Sequence, residues 1–223
     1  MAKTMDKMNK RGIFITFEGM DGSGKSTQIN ALKGFFEERQ EECVVTREPG
    51  GTKVGDKLRD IVLDPANTDI DPVTEALIYA ASRAQLVRQV IKPALERGIN
   101  VICDRYLDSS IAYQAYGRGL GPAVPMINKE ATGGLMPDVT FFLDVKPEEG
   151  VRRITEVRNK SGGSLDRIEL ESSDFKSLVY EGFLSIAESD PERFLIIDGN
   201  RSAEEITEEI KAVTENLLNK QGE

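Results

Sequence analysis

Short apolar runs alternate with longer amphipathic segments along most of this 223-residue chain. Runs rich in β-branched and aromatic residues are typical of buried strands, whereas apolar residues spaced three and four apart are typical of helices. Such runs predict strands at residues 13–18, 42–46, 99–103, 139–144 and 194–197. Short strands separated by helices indicate a parallel sheet covered on both faces. We therefore predict a three-layer α/β/α fold with a five-stranded parallel sheet.

The longest helical signal begins after Asp71, a candidate N-cap that is followed by Pro72 in the first turn. Apolar residues then recur at spacings of four and three as far as Ile91, and Gly98 ends the segment. Pro93 is expected to kink the last turns. Other helices are predicted after the first and second strands, at about 108–117 and 123–132, from Pro147, at about 172–188, and after a capping box at Ser202-Ala203-Glu204-Glu205.

A chain of this length is most simply a single domain, which we place at residues 12–220, after a polar tail at 1–11 that we expect to be flexible. No apolar stretch approaches membrane-spanning length, and the tail lacks the apolar centre of a secretory signal. Cys43 and Cys103 have no metal-ligand spacing. We expect both to be reduced cysteines in a cytoplasmic protein.

The charge balance narrows the range of partners and of chemistry. A formal net charge of −9 argues against a nucleic-acid polymer, which needs a basic face. A few arginines in one cleft can still bind a small phosphorylated ligand. The chain has no histidine, which excludes Ser–His and Cys–His nucleophiles. Any chemistry must rest on carboxylates, arginines, lysine and metal ions.

One segment matches the phosphate-binding pattern G-x-x-x-x-G-K-[ST] and directly follows the first predicted strand: Gly19-Met20-Asp21-Gly22-Ser23-Gly24-Lys25-Ser26-Thr27. Its glycines permit a sharp turn and a close approach of backbone N–H groups to a polyphosphate. We expect Lys25 to reach the β- and γ-phosphates, Ser26 to bind Mg²⁺, and the next helix to offer its positive end. The alternative is a glycine-rich turn without a ligand, which the amphipathic helix after it disfavours.

Ligands of parallel α/β sheets bind at the carboxyl ends of the strands. Polar residues at or near these ends are Asp21, Arg47, Asp104, Arg105 and Asp144. Asp104 is a candidate Mg²⁺ ligand, with a strand-end capping role as the alternative, and for Asp144 the capping role is preferred. Arg47 and Arg105 favour an anionic ligand.

The phosphate loop by itself covers switches, motors and kinases. A GTP switch needs the guanine-reading sequence Asn-Lys-x-Asp, which does not occur here. A large ATPase module would need a longer chain. A small kinase that acts on a phosphate or hydroxyl acceptor remains.

From Gly12 almost to the C-terminus, the chain resembles the thymidylate kinase family. The motifs that carry the resemblance are Phe17-Glu18-Gly19, Arg47-Glu48-Pro49-Gly50-Gly51-Thr52, Tyr79-Ala80-Ala81-Ser82-Arg83-Ala84-Gln85, Asp104-Arg105-Tyr106, Ser109-Ser110-Ile111-Ala112-Tyr113-Gln114, Gly117-Arg118-Gly119 and Leu165-Asp166-Arg167. The resemblance implies a P-loop nucleoside-monophosphate-kinase-like fold, a mobile lid at about 152–170 and a homodimer. It also implies transfer of the γ-phosphate of MgATP to dTMP, which gives dTDP and ADP in dTTP synthesis.

The resemblance assigns a role to each end of the acceptor. By position, Arg47 and Arg105 would hold its phosphate, Tyr79 would stack on thymine and Arg83 would hydrogen-bond the base. Tyr79 and Arg83 are i,i+4 neighbours on a predicted helix, so their side chains share one face. A tyrosine at such a position is otherwise more often a residue at the edge of the core.

The sugar and the rest of the base are assigned in the same way. Tyr113 would lie under the deoxyribose, Gln114 would contact the base and Asp21 would approach the 3′-hydroxyl. The full acceptor set implied is Asp21, Arg47, Leu58, Tyr79, Arg83, Arg105, Ser109, Tyr113 and Gln114.

The variable positions of the phosphate loop hold no arginine, which is similar to the bacterial-type subgroup of the family. Cationic help for the transfer would then come from the lid. The candidates are Arg152, Arg153, Arg158, Lys160 and Arg167, and the alternative for such a charge cluster is a solvated helix face. We favour Arg158 and Arg167, although Lys160-Ser161-Gly162-Gly163-Ser164 departs from the family's arginine-dense lid.

The predicted catalytic groups are thus Lys25, Arg105, Arg158 and Arg167, with Ser26 and Asp104 for the metal. No general base is needed, because a monophosphate is mostly ionised at neutral pH. Two alternatives stay open. One is a kinase for another small nucleotide or nucleoside, and the other is a nucleotide-gated switch that hydrolyses slowly.

Overall fold

The computed structural model describes residues 10–162 and 164–220, without the side chains of Lys160 and Ser161. Most of the predicted tail, and Gly163 of the predicted lid, therefore lie outside the described residues. Of the tail, Arg11 pairs with Asp138 at 2.9 Å between Nη1 and Oδ2.

Five parallel strands form one sheet in the order β2-β3-β1-β4-β5. The strands are β1 (Phe14–Glu18), β2 (Cys43–Arg47), β3 (Asn100–Asp104), β4 (Val139–Asp144) and β5 (Phe194–Asp198). The predicted sheet and the α/β/α architecture are confirmed. Every predicted strand is present, with its ends within one residue of the predicted ends.

The helices are α1 (Lys25–Glu38), α2 (Lys53–Leu63), α3 (Pro72–Leu86), α4 (Lys92–Glu96), α5 (Leu107–Ser110), α6 (Ala123–Thr132), α7 (Pro147–Ser161), α8 (Ser173–Ser189) and α9 (Ala203–Lys220). Two π-helical segments occur, Val87–Ile91 between α3 and α4 and Ile111–Gly117 after α5. Pro93 has no N–H for the helical ladder, and the wider turns of the first segment lie just before it. Where the sequence predicts a kink, the structure has a π-helical segment. None of the described helices is long and apolar enough to cross a membrane.

Both predicted helix starts are capped as expected. Asp71 Oδ1 accepts a hydrogen bond from the backbone N–H of Val73 at 2.8 Å. Ser202 Oγ accepts from the N–H of Glu205 at 3.2 Å, and Glu205 Oε2 accepts from the N–H of Ser202 at 3.0 Å. These side chains satisfy N–H groups that have no partner within the helix.

The core lies on both faces of the sheet because side chains of a strand alternate between its faces. Ile15 and Phe17 of β1 pack against α1 and α9. Phe14, also in β1, points to the opposite face of the sheet. It packs with the end of α3 and with the π-helical segment after it. Phe142 of β4 packs against α8 on this second face.

The carboxyl ends of β1, β2 and β3 meet at one edge. Asp104 is the register partner of both Phe17 in β1 and Arg47 in β2. The loops that leave these three strands therefore begin side by side, which brings together the polar residues that follow them.

The first turn of α7 touches the β1–α1 loop without side chains between the two backbones. A Cβ built on Gly150 would lie 2.5 Å from the carbonyl oxygen of Asp21, and one built on Gly22 would lie 2.4 Å from that of Gly150. Neither position has room for a methyl group. The pair of glycines thus permits direct backbone packing.

Alanine at position 150 is expected to destabilise the fold, although alanine is normally the better helix residue. We expect Gly150→Ala to lower the free energy of unfolding by about 1–3 kcal/mol, the usual cost of overpacking. Gly34 of α1 is the matched control, since a Cβ there meets nothing within 4 Å. Gly34→Ala should raise the same free energy by about 0.5–1 kcal/mol. Urea unfolding measures both, and a Gly150→Ala protein as stable as Gly34→Ala would contradict the close packing.

Candidate active site at the carboxyl ends of the strands

The phosphate loop turns from β1 into α1 through three glycines with positive φ angles, 143° at Gly19, 81° at Gly22 and 97° at Gly24. A Cβ on Gly19 would lie 2.7 Å from Ser23 Oγ and 2.8 Å from the carbonyl oxygen of Leu143. Gly24 caps α1 in a left-handed conformation without a side-chain hydrogen bond. The first N–H groups of α1 have no side-chain cap, as an anion-binding helix end requires.

Lys25 lies over this loop. Its Nζ donates to the carbonyl oxygens of Gly19 and Met20, both at 3.1 Å, and the residue is 8% exposed. Burial, together with the nearby charge of Arg105, lowers the pKa of Lys25 from 10.5 to about 8. Asp21 and Asp104 act in the opposite direction. The ammonium is thus poorly solvated, and an added anion would stabilise its charged form.

Two of the cavities that adjoin the loop contain most of the predicted site residues. The phosphate-loop cavity, of about 640 Å³, is lined by Gly22, Gly24, Lys25, Ser26 and Thr27 and by Asp104. Five arginines also line it: Arg47, Arg59, Arg105, Arg153 and Arg158. A cluster of cations beside open helix N–H groups suits a polyphosphate.

Ser26 and Asp104 can serve a divalent cation. Both also line a further cavity beside the phosphate loop. Among the described residues, Asp104 Oδ1 is one of the buried side-chain oxygens without a hydrogen-bond partner. Hydroxyl and carboxylate oxygens are ligands that Mg²⁺ prefers, so the donor set fits this ion.

The inner cavity lies beyond Arg105. Six of the residues predicted for the acceptor line it: Asp21, Tyr79, Arg105, Ser109, Tyr113 and Gln114. Arg47 lines the phosphate-loop cavity instead, and Leu58 and Arg83 are not among the residues that line the inner cavity. Other residues that line the inner cavity are not predicted from the sequence as site residues, among them Glu48, Arg59, Ser110 and Asp166.

Arg105 stands at the junction of the two cavities. Its Nη2 donates to Asp21 Oδ1 at 2.7 Å, its Nη1 donates to Ser109 Oγ at 3.2 Å, and its guanidinium carbon lies 5.4 Å from the centroid of the Tyr113 ring. The φ angle of Arg105 is 67°, a left-handed conformation that is uncommon outside glycine. Such backbone strain is typical of functional positions.

Glu18, the last residue of β1, is hydrogen-bonded to the turn between β3 and α5, in which Arg105 lies. Its Oε1 accepts from the N–H of Tyr106 at 2.8 Å and from that of Ser109 at 3.1 Å. Its Oε2 accepts from Ser109 Oγ at 2.5 Å. Glu18 is fully buried, and burial raises its pKa to about 7. The carboxylate therefore ties the β3–α5 turn to the end of β1.

Comparison with known proteins decides the family. The family model described as thymidylate kinase matches residues 17–210. The thymidylate kinase of Lactobacillus delbrueckii subsp. bulgaricus is 49% identical over 198 residues, which are 88% of this chain and 92% of that protein. The thymidylate kinase of Deinococcus radiodurans is 47% identical over 203 residues, 91% of this chain and 96% of that protein. The chain belongs to the thymidylate kinase family.

A solved thymidylate kinase agrees with the fold. The crystal structure of thymidylate kinase from Ehrlichia chaffeensis superposes with a TM-score of 0.73 at 32% identity, covering 92% of this chain and 99% of that one. The predicted resemblance and the predicted P-loop nucleoside-monophosphate-kinase-like fold are both confirmed.

The arginines of the predicted thymidylate kinase lid face different ways. Arg158 lines the phosphate-loop cavity, and its Nη2 donates to Glu169 Oε1 at 2.5 Å. Arg167 is 8% exposed and donates to the carbonyl oxygen of Val62 at 2.8 Å and to Glu75 Oε2 at 2.6 Å. Of the two arginines favoured from sequence, only Arg158 lines the phosphate-loop cavity.

Of the other lid candidates, Arg153 also lines the phosphate-loop cavity, whereas Arg152 does not. Arg153 lines the phosphate-loop cavity and donates to the carbonyl oxygen of Gly199 at 3.0 Å. The Arg152 side chain is 57% exposed and pairs with Glu149 and Glu156 of its own helix. This is the solvated helix face that was the alternative for the cluster. The Lys160 side chain lies outside the described residues.

Arg83 is held entirely by protein groups. It is 1% exposed, and its Nε donates to Glu48 Oε2 at 2.7 Å, with Nη2 2.6 Å from the same oxygen. Nη1 bonds to Ser110 Oγ and Asn128 Oδ1, and Nη2 also donates to the carbonyl oxygen of Tyr106 at 3.0 Å. These four hydrogen bonds involve all three nitrogens of the guanidinium. Arg83 therefore positions Glu48 and Ser110, which line the inner cavity.

Arg59 is a site residue that sequence reasoning missed. It lines both cavities and donates from Nη1 to the carbonyl oxygen of Pro49 at 3.0 Å. Arg59 lies in the middle of α2 and not at the end of a strand, where ligand-binding residues of a parallel sheet are expected. Its position could have been inferred from the helical spacing. The buried residues of α2 are Gly55 and Val62, which lie at i−4 and i+3 from Arg59 and therefore on the same face of the helix. An arginine on an inward helix face needs an anionic or carbonyl partner.

The pKa of Lys25 predicts how ATP affinity depends on pH. A bound polyphosphate stabilises the ammonium and raises this lowered pKa again, so above pH 8 binding must take up a proton. We expect the dissociation constant for MgATP to be nearly constant from pH 7 to 8 and then to rise, approaching about tenfold per pH unit. Glu18 and Glu48, whose pKa burial raises to about 7, are mostly ionised by pH 8 and so contribute little to the rise above pH 8. Isothermal titration calorimetry measures the profile.

Lys25→Met is the control for that profile. It removes the ammonium but keeps an unbranched side chain, so affinity should be weaker and independent of pH above 8. The assignment to Lys25 is wrong when the wild-type profile is flat, or when Lys25→Met retains the wild-type slope.

Proposed function

We propose that the two cavities carry the two substrates of this kinase, with ATP along the phosphate loop and dTMP in the inner cavity. As a member of the family, the protein phosphorylates dTMP to dTDP. The observation that supports this arrangement is that Asp21, Arg59 and Arg105 line both cavities. Two phosphate groups bound there would meet at the same guanidinium groups, which in-line transfer requires.

Phosphoryl transfer between these substrates depends on positioning and on charge neutralisation more than on proton transfer. The acceptor phosphate, with a second pKa of about 6, already offers an ionised oxygen. The obstacle is the approach of two anions. Lys25 and Arg158 would neutralise the donor phosphates, and Arg105 would hold the acceptor phosphate. A Mg²⁺ ion held through Ser26 and Asp104 would supply further neutralisation of the donor phosphates.

Asp21 would change partners during binding. It now accepts from Arg105 at 2.7 Å. A dTMP phosphate is a stronger partner for that guanidinium, and Asp21 would then be released toward the 3′-hydroxyl. Tyr79, Tyr113 and Gln114 would contact the base and the sugar, since they also line the inner cavity.

Arg158 is the lid residue that we expect to act in the transition state. Arg158→Ala should lower kcat at least tenfold with little change in the KM for dTMP, because the interaction forms during transfer rather than in the ground state. Arg152→Ala is the matched control from the same helix and should leave both parameters unchanged. Steady-state kinetics measures the wild type, Arg158→Ala, Arg152→Ala and Arg167→Ala. A loss confined to Arg167→Ala would assign the role to that residue instead, and no tenfold loss in either variant would contradict a cationic lid.

A panel of monophosphates tests the acceptor. With saturating MgATP, we expect kcat/KM for dTMP to exceed that for dCMP and AMP by at least about a hundredfold, since a site built for one base leaves polar groups unpaired with another. Comparable activity on dCMP or AMP would favour a kinase for another nucleotide. ATP hydrolysis without any acceptor, stimulated by a protein, would favour a switch.

We also propose that residues 12–220 form one domain, that residues at about 152–170 are its lid, and that the protein is a cytoplasmic homodimer. Two free cysteines, Cys43 and Cys103, suit a reducing compartment.

Val73 and Leu77 on one face of α3 are 48% and 50% exposed, and Met126 on the adjacent α6 is 65% exposed. A second copy of the chain would cover this apolar face, and sedimentation velocity would detect the dimer.

A further inference from the structure

Glu75 is a buried carboxylate that the proposed mechanism does not use. It lies in the first turn of α3 and is 0% exposed. Three side chains from distant segments donate to it: Gln114, Arg118 and Arg167. A carboxylate is rarely buried so completely without a structural or functional reason, because removal of its hydration must be offset by bonds.

The bond from Gln114 determines which way its amide points. Gln114 Nε2 lies 2.9 Å from Glu75 Oε1. An ionised carboxylate only accepts hydrogen bonds, so the NH₂ group must face Glu75 and the amide cannot turn over. Gln114 lines the inner cavity. The amide oxygen is therefore the atom available to a bound base.

Two arginines keep Glu75 in its ionised form. Arg118 Nη2 lies 2.9 Å and Arg167 Nη2 lies 2.6 Å from Glu75 Oε2. Burial alone would raise the pKa of Glu75, but hydrogen bonds from Arg118, Gln114 and Arg167 outweigh it and hold the pKa below its ordinary value. Glu75 thus remains a pure acceptor, and the Gln114 amide keeps one orientation.

We infer that Glu75 is a positioning residue for base selection: by fixing the Gln114 amide it presents a carbonyl oxygen to the acceptor base. Thymine and uracil carry an N3–H donor that this oxygen can accept. Cytosine has a lone pair at N3, which the oxygen repels. The inference rests on the proposed placement of dTMP in the inner cavity.

Glu75→Gln tests this, because a second amide can donate as well as accept and so permits the Gln114 amide to turn over. We expect the ratio of kcat/KM for dTMP to that for dCMP to fall at least about fivefold, the effect of one hydrogen bond. The ratio of dTMP to dUMP should stay the same, since both bases have N3–H. General structural damage would lower all three activities together and leave both ratios unchanged.

Arg118→Lys is the matched control in the same network. It retains Glu75 and a positive charge, so both ratios should stay at the wild-type values. A double-mutant cycle with Gln114→Ala then shows whether Glu75 acts through Gln114. When it does, Glu75→Gln has no further effect on the dTMP/dCMP ratio in the Gln114→Ala protein.

The possible failures are distinguishable. If Gln114→Ala lowers the dTMP/dCMP ratio and Glu75→Gln does not, the role of Glu75 is wrong and the placement of dTMP stands. If neither variant changes the ratio, the placement of the base in the inner cavity is wrong. If Glu75→Gln does not fold, Glu75→Asp takes its place, because it keeps the charge for the arginines but withdraws the carboxylate from Gln114.

Discussion

The hydrogen bonds of Glu18 hold the active site together. This carboxylate ends β1, where the phosphate loop begins, and it accepts from two backbone N–H groups and one hydroxyl of the turn after β3. A polar group that is buried away from water needs such partners, so the turn is bound closely to the phosphate loop. Arg105, in that turn, is thereby brought to the junction of the two cavities. The left-handed backbone at Arg105 is a local cost that this network offsets.

The same principle recurs around the site, where arginines are paired with carboxylates. Arg83 pairs with Glu48, Arg105 with Asp21 and Arg158 with Glu169. An acidic chain can in this way hold a group of cations in one cleft without leaving them unpaired. The more accessible of these pairs can exchange a carboxylate for a phosphate. The fully buried pair of Arg83 and Glu48 instead shapes the wall of the inner cavity.

Glu75 extends this network to the proposed lid. It joins α3 to Gln114 in the inner cavity and to Arg167 at the end of the predicted lid. One carboxylate thus contacts the residue that would face the base and a residue near the end of the proposed lid. This contact would connect the proposed acceptor cavity directly to the segment that would cover the donor.

Local patterns in the sequence were sufficient for the strands, the capped helix starts and the phosphate loop, because each depends on neighbouring residues. A buried parallel strand is a continuous apolar run, and the glycines of the loop are required by its own backbone path. The partners of charged side chains were not predictable in this way. The sequence predicts ligand contacts for Arg83 and Arg167, but it does not show that they pair with Glu48 and Glu75. Nor does it show that Arg59 reaches the site from the middle of a helix. Only the tertiary structure decides these contacts, because the partner of a long charged side chain depends on which segments of the chain the packing of the core brings together.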